Sequence, residues 1–366
     1  MKRVGIFHPW NPYDTSLVGG IESYIKEMLE FSPSGADVSL ITWASKAENT
    51  NKSIRMIALR KISLPWIPKI LLFSFSIVRF KVEYRKKMDL IVLHRPELVF
   101  AAKILFPKSR ICLFLHTDQK SNFGATSDSH WRRFPFLYEW IIPKAYSNAN
   151  EIYLLSKPSL DYVKLFNESV TLLQATASDI FLANDLTWRS GLVWAGRLEV
   201  TKNPILGVEI MNELVKHGVK CTFIGEGALL NQCLKVKSDD VEHRKFVDRV
   251  QMSKVLKSSK FVLLTSHFEG APKLLVEALV AGCQIICTKG ADPEELHLEF
   301  PERIFIPDEN SIEDFVSMVR KLRFEEVTSG DLIKSERIQQ MMVSTAIPIL
   351  WKEMIEKMET EDENGG

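Results

Sequence analysis

Cysteine is scarce in the sequence, and its placement argues against two kinds of site. Five cysteines occur among 366 residues, mostly inside apolar runs, and none forms a Cys-x-x-Cys pair. An odd number without close pairs disfavours a disulfide framework and a zinc site, and favours reduced core thiols in a cytoplasmic protein. The N-terminus turns polar at His8 and Asn11, so we expect no signal peptide there.

Neither sign of charge is in excess. The 47 Lys and Arg residues nearly balance the 46 Asp and Glu residues, which gives a net charge of +1. This balance provides no overall field to attract nucleic acid. The sequence also lacks an Asp-x-Asp motif and any His, Asp or Glu cluster with metal-ligand spacing. We therefore expect no essential divalent metal and no other cofactor.

A hydrophobic run long enough to span a bilayer is missing too. The most apolar stretch, residues 62–80, has two prolines near its start and Lys69 within it, and it is too short to cross a membrane. The basic residues around it are Lys61, Lys69, Arg79, Lys81, Arg85, Lys86 and Lys87. Two interpretations stay open: residues 62–87 contact an anionic membrane surface, or the stretch is a helix packed on the N-terminal domain.

What the sequence does contain is a regular alternation of short apolar runs and amphipathic segments. This pattern predicts parallel strands joined by crossover helices. The predicted strands cover residues 3–7, 37–43, 89–93, 110–115, 151–155, 170–173, 191–195, 219–224, 241–247, 261–265, 284–288 and 303–306. The predicted helices cover 20–31, 97–106, 134–148 and 158–166, and others begin near 204, 226, 251, 272, 293 and 311.

A chain of 366 residues is too long for one ordinary core, so we expect two domains. The alternation predicts an α/β protein with two Rossmann-like, doubly wound domains that face each other across a cleft. We place the domains at residues 1–178 and 179–345. The last helical stretch covers residues 338–358, and the acidic tail 359–366 is expected to be disordered.

The segment from His267 to Gly282 carries the most specific candidate site. A buried strand is followed by Glu269-Gly270, and a helix is predicted to start at about Pro272, which suits a first-turn position. The backbone N–H groups at such a helix start are unpaired and bind anions such as a diphosphate. The residues that provide them are Gly270, Ala271, Lys273 and Leu274. Gly270 has no β-carbon, so phosphate can approach its backbone.

Glu269 and Glu277 bracket this helix start. Both carboxylates are expected to face one ligand and to accept hydrogen bonds from a sugar and a ribose. The alternative for Glu269 is a simple partner of the helix dipole. That alternative is weaker for Glu277, because the surrounding helix is apolar and an unpartnered charge there would be unfavourable.

Three weaker elements complete the candidate set. Arg197 and Lys202 follow a strand that ends at Gly196, and two such cations can neutralise a diphosphate, although alone they would be interpreted as solvated surface residues. Gly19 and Gly20 open a helix without forming a dinucleotide-binding fingerprint. His116 ends a strand where cleft residues occur, and His94 has a similar setting but is interpreted as structural.

In combination these motifs resemble the retaining glycosyltransferase family 4, which has the GT-B fold. The resemblance covers nearly the whole chain. The matching motifs are Gly19-Gly20-Ile-Glu, Gly196-Arg197-Leu with Lys202-Asn203, Ile224-Gly225-Glu-Gly227, and Glu269-Gly270 through Glu277-Ala278 to Gly282. One departure, Ala271-Pro-Lys after Gly270, leaves the sugar specificity open, and a second is the missing Asn-Gly before Asp179. Neither removes a proposed phosphate or ribose contact.

The resemblance implies transfer of a sugar from a UDP- or GDP-sugar to a hydroxyl acceptor, with retention and without a metal. Arg197 and Lys202 would hold the diphosphate, Glu277 the ribose and Glu269 the donor sugar, while His116 would approach the transferred sugar. The acceptor would be a glycan or lipid-linked sugar in bacterial surface polysaccharide or glycolipid synthesis. The resemblance also implies that residues 346–360 cross back to the N-terminal domain.

Two other functions stay open. A nucleotide-sugar 2-epimerase shares the GT-B arrangement and would convert its donor without any acceptor. A non-catalytic subunit that binds nucleotide sugars and scaffolds polysaccharide assembly would bind donors without turnover.

Overall fold

The computed structural model describes residues 1–14, 20–43, 55–62, 69–83, 87–116, 135–183, 189–292, 295–323 and 335–364. The chain forms two compact units. The N-terminal unit comprises Met1–Leu173 and Ala346–Gly366, and the C-terminal unit comprises Gln174–Thr345. The predicted first domain, 1–178, extends past this division.

The N-terminal unit is built on a parallel sheet. Within the described residues its strand order is β3-β2-β1-β4-β5-β6-β7. The strands are β1 (Lys2–Phe7), β2 (Ala36–Trp43), β3 (Arg55–Leu59), β4 (Leu90–Leu93), β5 (Arg110–Leu115), β6 (Glu151–Leu154) and β7 (Val170–Leu172). The order reverses direction between β1 and β4, and ligands of doubly wound folds bind beyond the carboxyl ends of strands at such a point.

Amphipathic helices cover this sheet. They are α1 (Gly20–Glu30), α2 (Lys69–Glu83), α3 (Val99–Leu105), α4 (Pro135–Asn148) and α5 (Leu160–Lys164), with short 3₁₀ turns at Pro96–Leu98 and Lys157–Ser159. Helix α1 shows the usual helical spacing, because Tyr24, Ile25, Met28 and Leu29 are buried while Glu30 is exposed.

Helix α2 occupies most of the stretch for which two interpretations were open. It buries Leu72, Phe73, Ile77 and Phe80 in the core of the N-terminal unit. Its other face exposes three large apolar side chains, which are Leu71, Phe75 and Val78. The helix is therefore packed on the domain, while an apolar face remains exposed. Among the described residues, no helix combines the length and apolar character needed to cross a membrane.

The C-terminal unit contains a second parallel sheet, with the strand order β10-β9-β8-β11-β12-β13 in its described part. Its strands are β8 (Leu192–Ala195), β9 (Cys221–Ile224), β10 (Glu242–Arg244), β11 (Phe261–Leu264), β12 (Gln284–Cys287) and β13 (Ile304–Phe305). Alternate residues of β8 belong to different hydrophobic clusters: Leu192 and Trp194 to one, and Val193 and Ala195 to the other. This alternation is typical of a sheet that is covered on both faces.

The helices of this unit follow the strands in turn. They are α6 (Pro204–Lys216), α7 (Leu230–Val236), α8 (Arg249–Ser258), α9 (Lys273–Val280), α10 (Leu296–Glu299), α11 (Ile312–Leu322) and α12 (Glu336–Met341), with 3₁₀ turns at Asp179–Phe181, Val200–Lys202 and Lys289–Ala291. The predicted doubly wound α/β class is thus confirmed in both units. All five cysteines are buried and unpaired, as expected for core thiols.

The last helix, α13 (Val343–Asn364), packs on the N-terminal unit. The Trp351 side chain is buried, and its indole N–H donates to the Met28 carbonyl at 2.9 Å. Lys357 forms an ion pair with the buried Glu151. The tail was predicted to be disordered from residue 359, but the helix continues through Asn364. A helix that is anchored upstream extends at little further cost through good helix formers such as glutamate.

Candidate donor site

Side-chain hydrogen bonds join two loops of the C-terminal unit that are far apart in sequence. Thr265, directly after β11, accepts from the Trp194 indole at 2.9 Å. The Thr265 hydroxyl donates to the Lys202 carbonyl at 3.0 Å and to the Asn203 carbonyl at 2.8 Å. The loop between β8 and α6 is thereby fixed against the end of β11. Pro204 then begins α6, as predicted for a first-turn proline.

Lys202 and Glu269 are brought into direct contact by this arrangement. The Lys202 ammonium lies 2.5 Å from one Glu269 carboxylate oxygen and 2.6 Å from the other. The Ser266 hydroxyl donates to the same carboxylate at 2.6 Å. The two side chains are largely covered, at 28% and 15% exposure. Charge-assisted bonds of this kind fix the carboxylate's position before any ligand binds.

Glu277 has a cationic partner that sequence reasoning missed. It lies within the apolar helix α9 and accepts a hydrogen bond from the Arg249 guanidinium at 3.1 Å. Arg249 is the first residue of α8 and follows Asp248, whose carboxylate caps that helix. A buried charge requires a partner, but no local pattern connects residues 249 and 277, so the sequence alone could not identify it.

Arg197 is placed differently from Lys202. Its guanidinium donates to Glu199 at 2.8 Å, and its side chain is 75% exposed. Of the two predicted diphosphate-binding cations, Lys202 contacts a motif glutamate, Glu269, whereas Arg197 contacts Glu199. Arg197 remains accessible on the same loop, where an anionic ligand can exchange with Glu199 at little cost because surface ion pairs are weak.

The glycine motif after β9 has a steric explanation. A β-carbon on Gly225 would lie 2.0 Å from the Gly196 carbonyl oxygen, and one on Gly227 would lie 2.7 Å from the Leu198 backbone nitrogen. Only glycine permits this close approach of two backbones. The loop after β9 thus packs directly on the loop that carries Gly196 and Arg197.

The start of α9 differs from the prediction in one respect. Pro272 is the N-cap, with φ −80° and ψ 64°, and the helix begins at Lys273. The Lys273 N–H, which was predicted to be unpaired, donates to the Ala271 carbonyl at 2.8 Å. These angles and this bond define an inverse γ-turn, which proline favours because its φ is fixed. Gly270, Ala271 and Leu274 are half-buried around this turn.

Three histidines lie together in the N-terminal unit, each just beyond the carboxyl end of a neighbouring strand. His8 follows β1, His94 follows β4 and His116 follows β5. The His94 Nδ1 and His116 Nε2 atoms are 2.8 Å apart, and His8 Nε2 lies 3.1 Å from a Glu22 carboxylate oxygen. The predicted candidate His116 therefore belongs to a polar cluster, of which the sequence indicated only His94.

Burial determines the protonation of this cluster. It lowers the pKa of His8 and lowers that of His94 well below the usual value of 6.5. Burial alone would raise the pKa of Glu22, but its hydrogen bond to His8 keeps that pKa below the usual value. His94 is therefore neutral at physiological pH.

The glycine pair receives less support. Gly20 is the first residue of α1, and a β-carbon there would meet no atom within 4 Å. Gly19 lies outside the described residues.

A family model covers the C-terminal site. Residues 189–323 match the family described as "Glycosyl transferases group 1". The chain is also 24% identical over 311 residues to a Campylobacter jejuni protein, with 79% of this chain and 81% of that protein covered. That protein is named N-acetylgalactosamine-N,N'-diacetylbacillosaminyl-diphospho-undecaprenol 4-alpha-N-acetylgalactosaminyltransferase.

Solved structures share the fold at low identity. A sucrose-phosphate synthase from Thermosynechococcus elongatus has a TM-score of 0.80 at 12% identity, with coverage of 99% of this chain and 100% of that chain. Anabaena HepE, solved with UDP and glucose, has a TM-score of 0.71 at 12% identity, with coverage of 97% of this chain and 100% of that chain. WaaG, a glycosyltransferase involved in lipopolysaccharide biosynthesis, has a TM-score of 0.68 at 12% identity, with coverage of 94% of this chain and 99% of that chain.

These findings support a glycosyltransferase with the GT-B fold. The predicted fold class is confirmed. The assignment to glycosyltransferase family 4, the retaining outcome and the roles of individual residues stay predictions.

Proposed function

We propose that the chain is a retaining glycosyltransferase of family 4 that transfers a sugar from a UDP- or GDP-sugar to a hydroxyl acceptor. The observation that carries this proposal is the pairing of both motif glutamates with cations: Glu269 with Lys202 and Glu277 with Arg249. Both pairs lie within residues 189–323, which match the glycosyltransferase family model.

The carboxylates hold the donor in this proposal. Glu277 accepts hydrogen bonds from the ribose hydroxyls, and Glu269 accepts them from the donor sugar, while their cationic partners keep both carboxylates oriented. Lys202 and Arg197 bind the diphosphate, which also meets the half-buried backbone of Gly270.

The chemical step requires no metal in this proposal. As the glycosidic bond to the diphosphate breaks, Lys202 and Arg197 stabilise the negative charge of the leaving group. The acceptor hydroxyl attacks the same face of the sugar and forms the new bond. Its proton passes to the departing phosphate oxygen, so charge and atoms balance.

We further propose that the protein works at the cytoplasmic face of a bacterial membrane, on a glycan or lipid-linked acceptor. The support is helix α2, which exposes Leu71, Phe75 and Val78 in a stretch rich in basic residues. Such a surface suits the anionic interface of a bilayer. The Campylobacter relative is named for an undecaprenol-linked acceptor.

Calorimetric titration of the full chain with UDP, GDP and ADP tests donor binding. UDP or GDP should bind, with ADP as the negative control, and Glu277→Gln should weaken that binding about 10- to 100-fold, because a hydrogen bond to a charged group contributes about 1.5–3 kcal/mol. The matched control is Glu213→Gln, a half-buried glutamate on α6 paired with Lys216, which should bind as the wild type does.

Sugar transfer is then followed by NMR with the donor alone and with acceptors added. Product that forms only with an acceptor, and with the donor's anomeric configuration, supports the proposal. Conversion of the donor alone would instead identify an epimerase. Failure of both UDP and GDP to bind would refute the proposed site.

A further inference from the structure

The contact between His94 and His116 links a buried ring to a more accessible one. His94 is 3% exposed, whereas His116 is half-buried. The His94 ring stacks on Phe114 with centroids 5.1 Å apart, and Tyr24 packs edge-on against both histidines. These contacts hold the two imidazoles in a fixed relative orientation.

The direction of the hydrogen bond follows from the other nitrogen of His94. Its Nε2 atom is buried and has no hydrogen-bond partner among the described residues. If His116 donated from Nε2, a neutral His94 would carry its proton on Nε2, and a buried N–H would be left unpaired. An unpaired lone pair is less unfavourable than an unpaired N–H.

The groups around His94 also oppose a charged ring. Burial is the main cause that lowers the pKa of His94, and the nearby His116, His8 and Arg95 lower it further. A neutral His94 has a single ring proton, so the choice between its two nitrogens decides which ring is the donor.

We infer that His94 is a positioning residue, which donates from Nδ1 to Nε2 of His116 and so fixes the tautomer of His116. His116 then carries its own proton on Nδ1. The effect on sugar transfer rests on the proposed function and on the predicted approach of His116 to the transferred sugar.

The fixed tautomer has a chemical consequence. His116 Nε2 is occupied as an acceptor, so the ring serves as a hydrogen-bond donor and does not remove a proton from the acceptor hydroxyl through that nitrogen. This agrees with transfer of that proton to the departing phosphate oxygen.

The tautomers can be measured without any substrate. The full chain, labelled with ¹⁵N at histidine, gives two-bond ¹H–¹⁵N correlations that distinguish Nδ1–H from Nε2–H rings. Replacement of single histidines assigns the signals. Both His94 and His116 should show the Nδ1–H pattern, and an Nε2–H pattern for His116 in the wild type overturns the inference.

Two variants separate positioning from structure. In His94→Phe the ring still stacks on Phe114 but donates no hydrogen bond, so His116 should lose its fixed tautomer. In His94→Asn the amide can donate from the place of Nδ1, so the tautomer should be retained. Thermal unfolding and nucleotide binding by both variants show that each is folded.

Kinetics supply the functional readout. His94→Phe should lower kcat about tenfold or more, in line with the effect of removing a group that orients a histidine, with the donor KM unchanged and with recovery in His94→Asn. Equal kcat in the wild type and His94→Phe overturns the positioning role. If no preparation transfers sugar, the proposed function fails, and the correlation spectra still decide the tautomer.

Discussion

Glu277 lies on the otherwise apolar helix α9, and Arg249 supplies its positive partner at 3.1 Å. Arg249→Ala should destabilise the C-terminal unit by about 1–3 kcal/mol, since it leaves a nearly buried carboxylate without this partner. The double variant Arg249→Ala/Glu277→Gln should recover part of the loss. Urea unfolding measures both changes.

The control for this prediction is Arg197→Ala. Arg197 also pairs with a glutamate, but its side chain is 75% exposed, and its loss should change the free energy of unfolding by less than about 0.5 kcal/mol. Equal effects of the two arginine substitutions would mean that burial does not determine the strength of the Glu277 pair.

The buried histidines predict a pH dependence of stability. The pKa values of His8 and His94 are lowered from 6.5 in the folded chain. Below about pH 6.5 the unfolded chain therefore binds more protons than the folded one, so stability decreases as the pH falls. The lowered pKa of Glu22 adds a further loss only at pH values below its usual 4.5.

Urea midpoints at about pH 7.5 and about pH 5.5 test this linkage. The wild type should lose stability between them, and His94→Phe should lose less. His217→Gln, which replaces an exposed histidine of the C-terminal unit, should behave as the wild type does. An identical loss in the wild type and His94→Phe would show that His94 does not contribute.

At the scale of elements, the exposed face of α2 predicts membrane binding. Leu71, Phe75 and Val78 recur at helical spacing and remain exposed although α2 buries its opposite face. Phe75→Ser should reduce binding to vesicles containing anionic lipid about tenfold, because it removes the largest apolar group of this face.

Cosedimentation with vesicles measures this binding. Ile349→Ser is the matched control, since Ile349 is also an exposed apolar residue of the N-terminal unit, on α13, and it should leave binding unchanged. Equal loss in the two variants, or equal wild-type binding to neutral vesicles, would contradict a role for α2.

The sequence predicted most strands well because strands buried in parallel sheets form continuous apolar runs, and these runs are too short for typical helices. Strand β3 was missed, since only its last residue, Leu59, is buried and its pattern shows no alternation. The same limit applies to the site: motif spacing predicted Glu269 and Glu277, but their partners depend on how separate loops pack. The contacts of Lys202 and Arg249 therefore required the structure.

At the scale of the whole molecule, Trp351 connects the last helix to the rest of the N-terminal unit. Its side chain is 1% exposed, and its indole donates to the Met28 carbonyl. Trp351→Ala should destabilise this unit by about 3–5 kcal/mol, because a large cavity forms and a buried carbonyl loses its donor.

Hydrogen exchange of the full chain locates this loss. Amides of β1, β4 and α1 should exchange faster in Trp351→Ala, whereas those of β8, β11 and α9 should keep their protection. Ile349→Ala, which truncates an exposed neighbour on the same helix, should alter neither unit. Uniformly faster exchange throughout the chain would mean that the two units unfold as one.

The N-terminal unit is formed by two separate segments of the chain, and this affects the order in which the chain can fold during synthesis. This unit needs residues 346–366 as well as 1–173, whereas the C-terminal unit is continuous in sequence. Domains generally fold as the ribosome releases them, starting from the N-terminus. Here the second unit can be completed first. The N-terminal unit can be completed only after the last helix has left the ribosome. Until then, the core surface that packs against Trp351 stays uncovered.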